Sequence, residues 1–174
     1  MKTEIRIAGF GGQGIVLAGQ ILGKAAAYSG MNVAQTQSYG AEARGSAAKS
    51  EVIISDTKIG YPHVRKSDIL IAMSQEALDK NLKDLKREGI LVIDSTNVQK
   101  QPETEAKIVK IPATETAEKE FGAKIYANMI MLGALSKVAP LADDEMVEKA
   151  IQETVTRDNR LNIQAYQKGR KLAD

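Results

Sequence analysis

The stretch EIRIAGFGGQGIVLAGQIL, residues 4–22, restricts the fold more than any other part of this sequence. Residues 3–8 alternate polar and apolar side chains and run straight into glycine, as a strand entering a tight loop does. From residue 12 to 29 the period changes. Ile15, Ala18, Leu22 and Ala25 now recur at helical spacing and mark one buried face. A strand, a glycine loop and a helix in that order open an α/β layered fold. Gly19 and Gly23 form a second line on this helix. They either let it approach a neighbour closely or are tolerated there at roughly 1 kcal/mol each against alanine.

The alternation continues along the chain. Strands are expected at 31–37, 68–73, 90–94 and 107–112, the second and third being continuous apolar runs suited to a buried parallel sheet. Residues 47–55 and 57–62 are expected to pair as a short antiparallel hairpin turning at Asp56. Between the apolar strands, residues 74–88 read as an amphipathic helix with Leu78, Leu82 and Leu85 on one side and Gly89 as its stop. Residues 97–106 are polar and predict an exposed loop. The remainder is helical: 114–122, then 123–139, 143–155 and 159–172. The segment 123–139 is apolar on nearly every side and needs burial on two faces. With 43% hydrophobic and 26% charged residues the chain can build a real core. The pattern predicts one domain over 1–174: a three-layer α/β/α Rossmann-like fold with a mostly parallel sheet, a short antiparallel hairpin and C-terminal helices.

Ligands of parallel sheets sit outside the carboxyl ends of the strands. Four loops reach that edge in this reading: 9–14 (GFGGQG), 38–45 (SYGAEARG), 74–76 (SQE) and 94–97 (DSTN). Gly9, Gly11 and Gly14 have G-x-G-x-x-G spacing, which by itself suggests a dinucleotide. A Rossmann NAD site also needs an acid near the end of the second strand, about 20 residues past the glycines. That strand ends in Gln35, Thr36 and Gln37, and the first acid is Glu42, beyond it. A phosphate-binding P-loop fails too, because Ile15 and Val16 stand where Lys and Ser/Thr are required. Two roles stay open. Backbone N–H groups at the start of the helix, with Gln13, can face an anion, or the glycines simply let the loop turn and pack.

His63, the sole histidine, follows Tyr61-Pro62 in a turn and reads as a solvated loop residue. Asp94-Ser95-Thr96 contacts a ligand or caps the next turn. No nucleophile–base pair, metal cluster or carboxylate pair is visible, so no catalytic residue and no metal ligand is expected. Arg44 stands out. The segment from Ala25 to Ala43 carries one charge, Glu42, and Arg44 follows it in a glycine-flanked loop on the ligand edge. Its planar fork suits a phosphate or carboxylate, or else it pairs with Glu42 or with another chain.

Composition closes other routes. There is no cysteine, hence no disulfide, no thiolate for an iron–sulfur cluster and no Cys nucleophile. Aromatics are 4% without Trp, and 24 basic against 22 acidic residues leave +2 spread along the chain. Neither a base-stacking platform nor a phosphate-tracking stripe follows, so no nucleic acid is expected. No secretory signal is visible and the most apolar run, 125–135, is short for a membrane span, so the cytoplasm is the expected location and no membrane partner is expected.

The segments AGFGGQGIVLAGQILGKAA, QSYGAEARGSAAKSEVIIS and ANMIMLGAL together resemble the gamma subunit of 2-oxoacid:ferredoxin oxidoreductases, over nearly the whole chain. The resemblance rests on a paired signature: Gly9, Gly11, Gly12, Gln13 and Gly14, then Tyr39, Gly40, Glu42, Arg44 and Gly45. Ala41 and Ser46 stand where the family often has proline and glycine. The resemblance implies a multisubunit enzyme that converts a 2-oxoacid and coenzyme A to acyl-CoA and carbon dioxide while reducing ferredoxin. It implies that thiamine diphosphate and iron–sulfur clusters sit on partner subunits, alpha and beta, and delta where one is present. Coenzyme A is then the co-substrate, ferredoxin a partner through the complex, and the isolated chain inactive. On this basis Gly9, Gly11, Gly12, Gln13, Gly14, Tyr39, Glu42 and Arg44 are the expected cofactor-facing residues. The apolar segment 123–139 is expected to offer one face to a partner subunit, and the short stand-alone form inclines the substrate toward 2-oxoglutarate. A free-standing nucleotide-binding α/β protein and a purely structural subunit are the alternatives.

Overall fold

The computed structural model describes residues 1–40 and 47–174. Six strands, β1 (Lys2–Phe10), β2 (Asn32–Tyr39), β3 (Ala47–Ser55), β4 (Ser67–Ala72), β5 (Leu85–Asp94) and β6 (Lys107–Ile111), form one sheet. Their order is β2-β3-β1-β4-β5-β6. β1, β4, β5 and β6 are mutually parallel, and β3 runs against both β1 and β2. β2 therefore points the same way as β1, and five strands deliver their carboxyl ends to one edge.

Six helices surround the sheet: α1 (Ile15–Tyr28), α2 (Gln75–Asn81), α3 (Ala113–Phe121), α4 (Ala127–Val138), α5 (Asp144–Thr154) and α6 (Asn159–Leu172). Two apolar clusters hold the layers together. The larger joins Ile5, Ile7, Val52, Ile54, Ile69 and Ile71 of the sheet to α1 and α3–α6. The smaller joins Ala8, Leu70, Ala72, Leu91 and Ile93, on the opposite face, to Ala77 and Leu78 of α2 and to Val98 and Ala106. The second layer is thus thin, with one two-turn helix and loops. Within α1, a Cβ on Gly19 would collide with Ser50 of β3, so that glycine is there for close helix–sheet approach.

The antiparallel hairpin is not the expected one. Residues 57–62 form no strand, and the partner of β3 is β2, with Val33 opposite Ile54 and Tyr39 opposite Ala48. β1 and β2 occupy both edges of β3, so no ladder is left for 57–62. That segment also carries Gly60 and Pro62, which strands disfavour. It runs instead toward the buried Val64, whose carbonyl accepts from Arg6 Nη2 at 3.1 Å.

The helix expected over 74–88 stops at Asn81, turns once as a 3-10 segment (Leu82–Asp84), and becomes β5 at Leu85. Leu78 and Leu85 do share one apolar cluster, but from a helix and a strand. Gly89 does not end a helix. It lies where the β4–β5 register shifts between Ser67 and Ile69. A Cβ there would approach the Asp68 carbonyl to 2.7 Å and that of Lys86 to 2.9 Å. The charged run Lys86-Arg87 is satisfied by Asp68 of β4 at 2.7 Å and by Glu105, just ahead of β6.

α4 is buried from Ala127 to Ser136 without a break. Its second apolar face is covered inside the chain by α6, so within the segment 123–139 the exposed large apolar side chain is that of Ile125, ahead of the helix. The two helices cross at glycines: a Cβ on Gly133 would strike the Tyr166 carbonyl, and one on Gly169 the Ile130 carbonyl. Small residues at the crossing bring the backbones into contact, which explains a helix apolar all round.

Candidate functional site

The loop after β1 is closed by its own glutamine. Gln13 Oε1 accepts from the Phe10 N–H at 2.7 Å, and Gln13 Nε2 donates to the Met73 carbonyl at 3.1 Å. One side chain therefore folds the glycine loop and ties it to the end of β4. Gly9 leaves room for this, since a Cβ there would collide with Gln13 Oε1 and lie 2.8 Å from Ile15 Cδ1. Gly12 and Gly14 adopt left-handed φ of 91° and 75°, a region open to glycine at no steric cost. Gly14 ends the loop and starts α1, and its carbonyl accepts from Asn128 Nδ2 of α4 at 3.2 Å. Gly11 and Gly12 are exposed at the tip.

The loops after β4 and β5 are built around Asp94, which is fully buried. Its carboxylate accepts from Thr114 Oγ1 at 2.5 Å and from the Thr96 N–H at 3.1 Å. Asn97 Nδ2 adds bonds to Thr114 Oγ1 at 3.1 Å and to the Met73 carbonyl at 3.3 Å. Asp94 thus caps its own turn and the start of α3. Ser74 caps α2 in the same way, accepting from the Ala77 N–H at 3.1 Å.

Two clefts flank this edge, both touching Phe10, Ser74 and Glu76. The first, about 340 Å³, lies between the ends of β1–β3 and α2 and includes Tyr39, Gly40, Lys49, Lys80, Lys83 and Asp84. The second, about 700 Å³, lies between the glycine loop and the start of α4 and includes Gln13, Met73, Asn97, Thr114, Lys124 and Ile125. Tyr39 is 61% exposed and Ile125 is 50% exposed, unusual for such side chains. Behind Ile125, burial pushes the Tyr126 phenol above the usual tyrosine range, with Asp158 beside it.

The structure therefore brings Gly9, Gly11, Gly12, Gln13, Gly14 and Tyr39 to one edge. Glu42, Arg44 and Gly45 lie outside the described residues. His63 is exposed and meets Tyr61 edge-on at 5.4 Å, away from both clefts. Asn128, Lys49 and Lys83 were not singled out by sequence reasoning. Their only signal is position, and that emerges when strands and helices from distant segments meet. No group of three or more potential metal ligands occurs among the described residues.

The chain matches the family model described as pyruvate ferredoxin/flavodoxin oxidoreductase over residues 4–172. It is 47% identical to the 2-oxoglutarate synthase subunit KorC of Methanocaldococcus jannaschii, covering 99% of this chain and 95% of that one. Its structure superposes with a TM-score of 0.88 on the gamma subunit of the keto/oxoacid ferredoxin oxidoreductase of Geobacter sulfurreducens. The identity there is 42%, over 98% of both chains. It also superposes at 0.88, with 27% identity, on 31% of a chain of the 2-oxoglutarate:ferredoxin oxidoreductase of Magnetococcus marinus, solved with 2-oxoglutarate, coenzyme A and succinyl-CoA bound. With the glycine loop, the Rossmann-like sheet and these matches together, the chain belongs to the pyruvate ferredoxin/flavodoxin oxidoreductase family and is similar to its gamma subunits over nearly their whole length.

Proposed function

We propose that this chain is the gamma subunit of a 2-oxoglutarate:ferredoxin oxidoreductase and forms the coenzyme A side of its active site. In this reading 2-oxoglutarate and coenzyme A become succinyl-CoA and carbon dioxide, and the electrons released reduce ferredoxin. Thiamine diphosphate and the iron–sulfur clusters belong to alpha, beta and, where present, delta subunits, which supply the carbanion and electron-transfer chemistry. The observation that carries the proposal is the 47% identity to a 2-oxoglutarate synthase subunit over essentially the whole chain.

The coenzyme A contact is supported by the edge itself. Gly9, Gly11, Gly12, Gln13, Gly14 and Tyr39 gather there, beside two clefts within the roughly 300–1,000 Å³ of small-molecule sites. Gln13 acts through the loop it closes, because both ends of its amide are already engaged. Arg44 and Glu42 complete the set from the sequence motif.

Two measurements test the proposal. Purified alone, the chain reduces no viologen dye with 2-oxoglutarate and coenzyme A, whereas the complex containing it does; turnover by the isolated chain overturns the subunit reading. In the complex, Arg44→Lys raises the KM for coenzyme A by roughly 10- to 150-fold, the usual worth of a hydrogen bond to a charged group, and leaves that for 2-oxoglutarate nearly unchanged. Equal changes in both, or loss of assembly, assign Arg44 to the subunit interface.

A further inference from the structure

The chain between β3 and β4 leaves and rejoins the sheet at the edge opposite the glycine loop, since Ser55 ends β3 beside Lys2 and Ser67 opens β4. It forms an irregular strap, residues 56–66, on the side of the sheet that carries α2, where Arg6 also meets Asn81 at 3.4 Å. Val64 is the one buried residue of the strap. Its carbonyl accepts from the buried Arg6 at 3.1 Å, and Lys66 Nζ donates to the Lys83 carbonyl at 2.7 Å. The strap is therefore tied to the sheet and to the 3-10 turn.

Its outer side carries an ordered cluster. The Arg65 guanidinium lies over the Tyr61 ring, 4.8 Å from its centre, and Nη2 donates to the Tyr61 hydroxyl at 3.4 Å. His63 meets the same ring edge-on. Tyr61 is nevertheless half exposed. A guanidinium stacked on a ring is oriented by it and keeps N–H groups in its plane for a carboxylate. Tyrosine and arginine are also the side chains that carry most of the energy of protein interfaces.

The charge of the strap is one-sided. Residues 57–66 hold Lys58, Arg65 and Lys66 and no acid. The flanking acids are engaged elsewhere: Asp56 with the amino terminus at 2.9 Å and Asp68 with Lys86 at 2.7 Å. Glu51 and Asp84 are taken by Arg6. Lys58, Arg65 and Lys66 have no acidic partner among the described residues. Three uncompensated cations thus stand in ten residues of a chain whose whole excess is +2. They are too few and too local to track a nucleic-acid backbone, and the stacked tyrosine–arginine pair favours a protein surface bearing carboxylates.

We propose, building on the subunit reading above, that the strap docks an acidic surface of another subunit of the complex, with Arg65 and Tyr61 at the centre of the contact and Lys58 and Lys66 beside them. The site lies across the sheet from the glycine loop, so its work is assembly and not substrate binding.

Carbodiimide cross-linking of the intact complex tests this, because it joins a lysine only to a carboxylate in direct contact. Lys58 or Lys66 becomes linked to an Asp or Glu of another subunit, and acetic anhydride labels both at least tenfold more slowly in the native than in the urea-unfolded complex. Arg65→Glu leaves the Tm of the chain unchanged but weakens its retention in the complex about tenfold at low salt, a deficit that narrows as salt is raised. Lysines that acetylate at the unfolded rate without cross-links overturn the proposal and leave the subunit reading standing. Slow acetylation without a cross-link overturns it too, since the covering surface then lacks carboxylates, as does full retention of Arg65→Glu. Cross-links that form only when ferredoxin is added give the strap to that protein and overturn it likewise. A chain that associates with no other subunit overturns the subunit reading together with it.

Discussion

The side-chain amide of Asn128 donates to the carbonyl of Gly14 across 3.2 Å, joining the first turn of α4 to the residue that starts α1. The same amide carbonyl accepts from the Met129 N–H at 2.8 Å, so its orientation is set. Asn128 is 2% exposed. A Cβ on Gly14 would collide with it, at a residue whose φ is already 75°. Gly14→Ala is therefore a folding mutation. Left-handed strain and loss of the amide bond together cost about 2–3 kcal/mol, a fall of roughly 5–10 °C in Tm. Gly12→Ala meets nothing within 4 Å and carries the φ strain alone, about 1 kcal/mol. Thermal melts of the two variants separate them. Equal Tm values would reject the Asn128 contact as the cause.

Arg6 sits in the middle of β1 yet is 4% exposed. Its Nε and Nη2 share Glu51 Oε2 at 2.9 and 2.8 Å, and Nη1 reaches Asp84 at 3.0 Å. Arg6→Met strands two acids near the sheet and lowers stability by about 3–5 kcal/mol. Arg6→Met combined with Glu51→Gln regains part of that loss, because one uncompensated charge is gone. Urea denaturation of the single and double variants is the measurement. A double variant no more stable than Arg6→Met argues that packing, not charge, holds Arg6.

The α4–α6 crossing leaves no space at its centre. Gly133→Ala forces a methyl group against the Tyr166 backbone and must separate the helices. The expected loss is about 3 kcal/mol, at the upper end for overpacking, with the urea midpoint lowered and the slope kept. An unchanged midpoint would show that the helices do not cross here.

Glu153 on α5 accepts from the Tyr28 hydroxyl and from Lys24 at 3.0 Å, pinning α1 to α5 at the surface. The Tyr28 hydrogen bond, then that of Lys24, holds its carboxyl below the usual carboxylate range. A depressed folded pKa stabilises above the unfolded value of about 4.3 and is lost as pH falls through the folded one. Lys24 is held above the usual lysine range, chiefly by the same bond. Its part is complete below about 10.4 and fades as pH rises through the folded value. Glu153→Gln is therefore less stable than the native chain between these limits and converges with it in acid. The gap shrinks in high salt because all three groups are exposed. A gap persisting in acid would place the effect elsewhere.

Local signals determined much of this protein. Alternation into glycine at residues 3–9 specified β1 and its loop, period and apolar runs located α1, β4, β6 and the C-terminal helices, and the paired glycine and tyrosine-arginine motifs carried the family. These are short-range properties, written in spacing and backbone freedom. Tertiary structure decided what depends on which edges and faces are already taken. Residues 57–62 were excluded from the sheet because β1 and β2 occupy both sides of β3. Leu85 became strand rather than helix because β4 offered a free parallel edge, with Gly89 admitting the bulge. The apolar α4 was covered by α6 through two glycines 36 residues apart in sequence, and Arg6, a polar position of an alternating strand, was buried because Glu51 and Asp84 converge on it. The smaller cleft has the same origin: Lys49 and Lys83 line it from elements that meet only once the sheet has formed, so no local pattern could announce it.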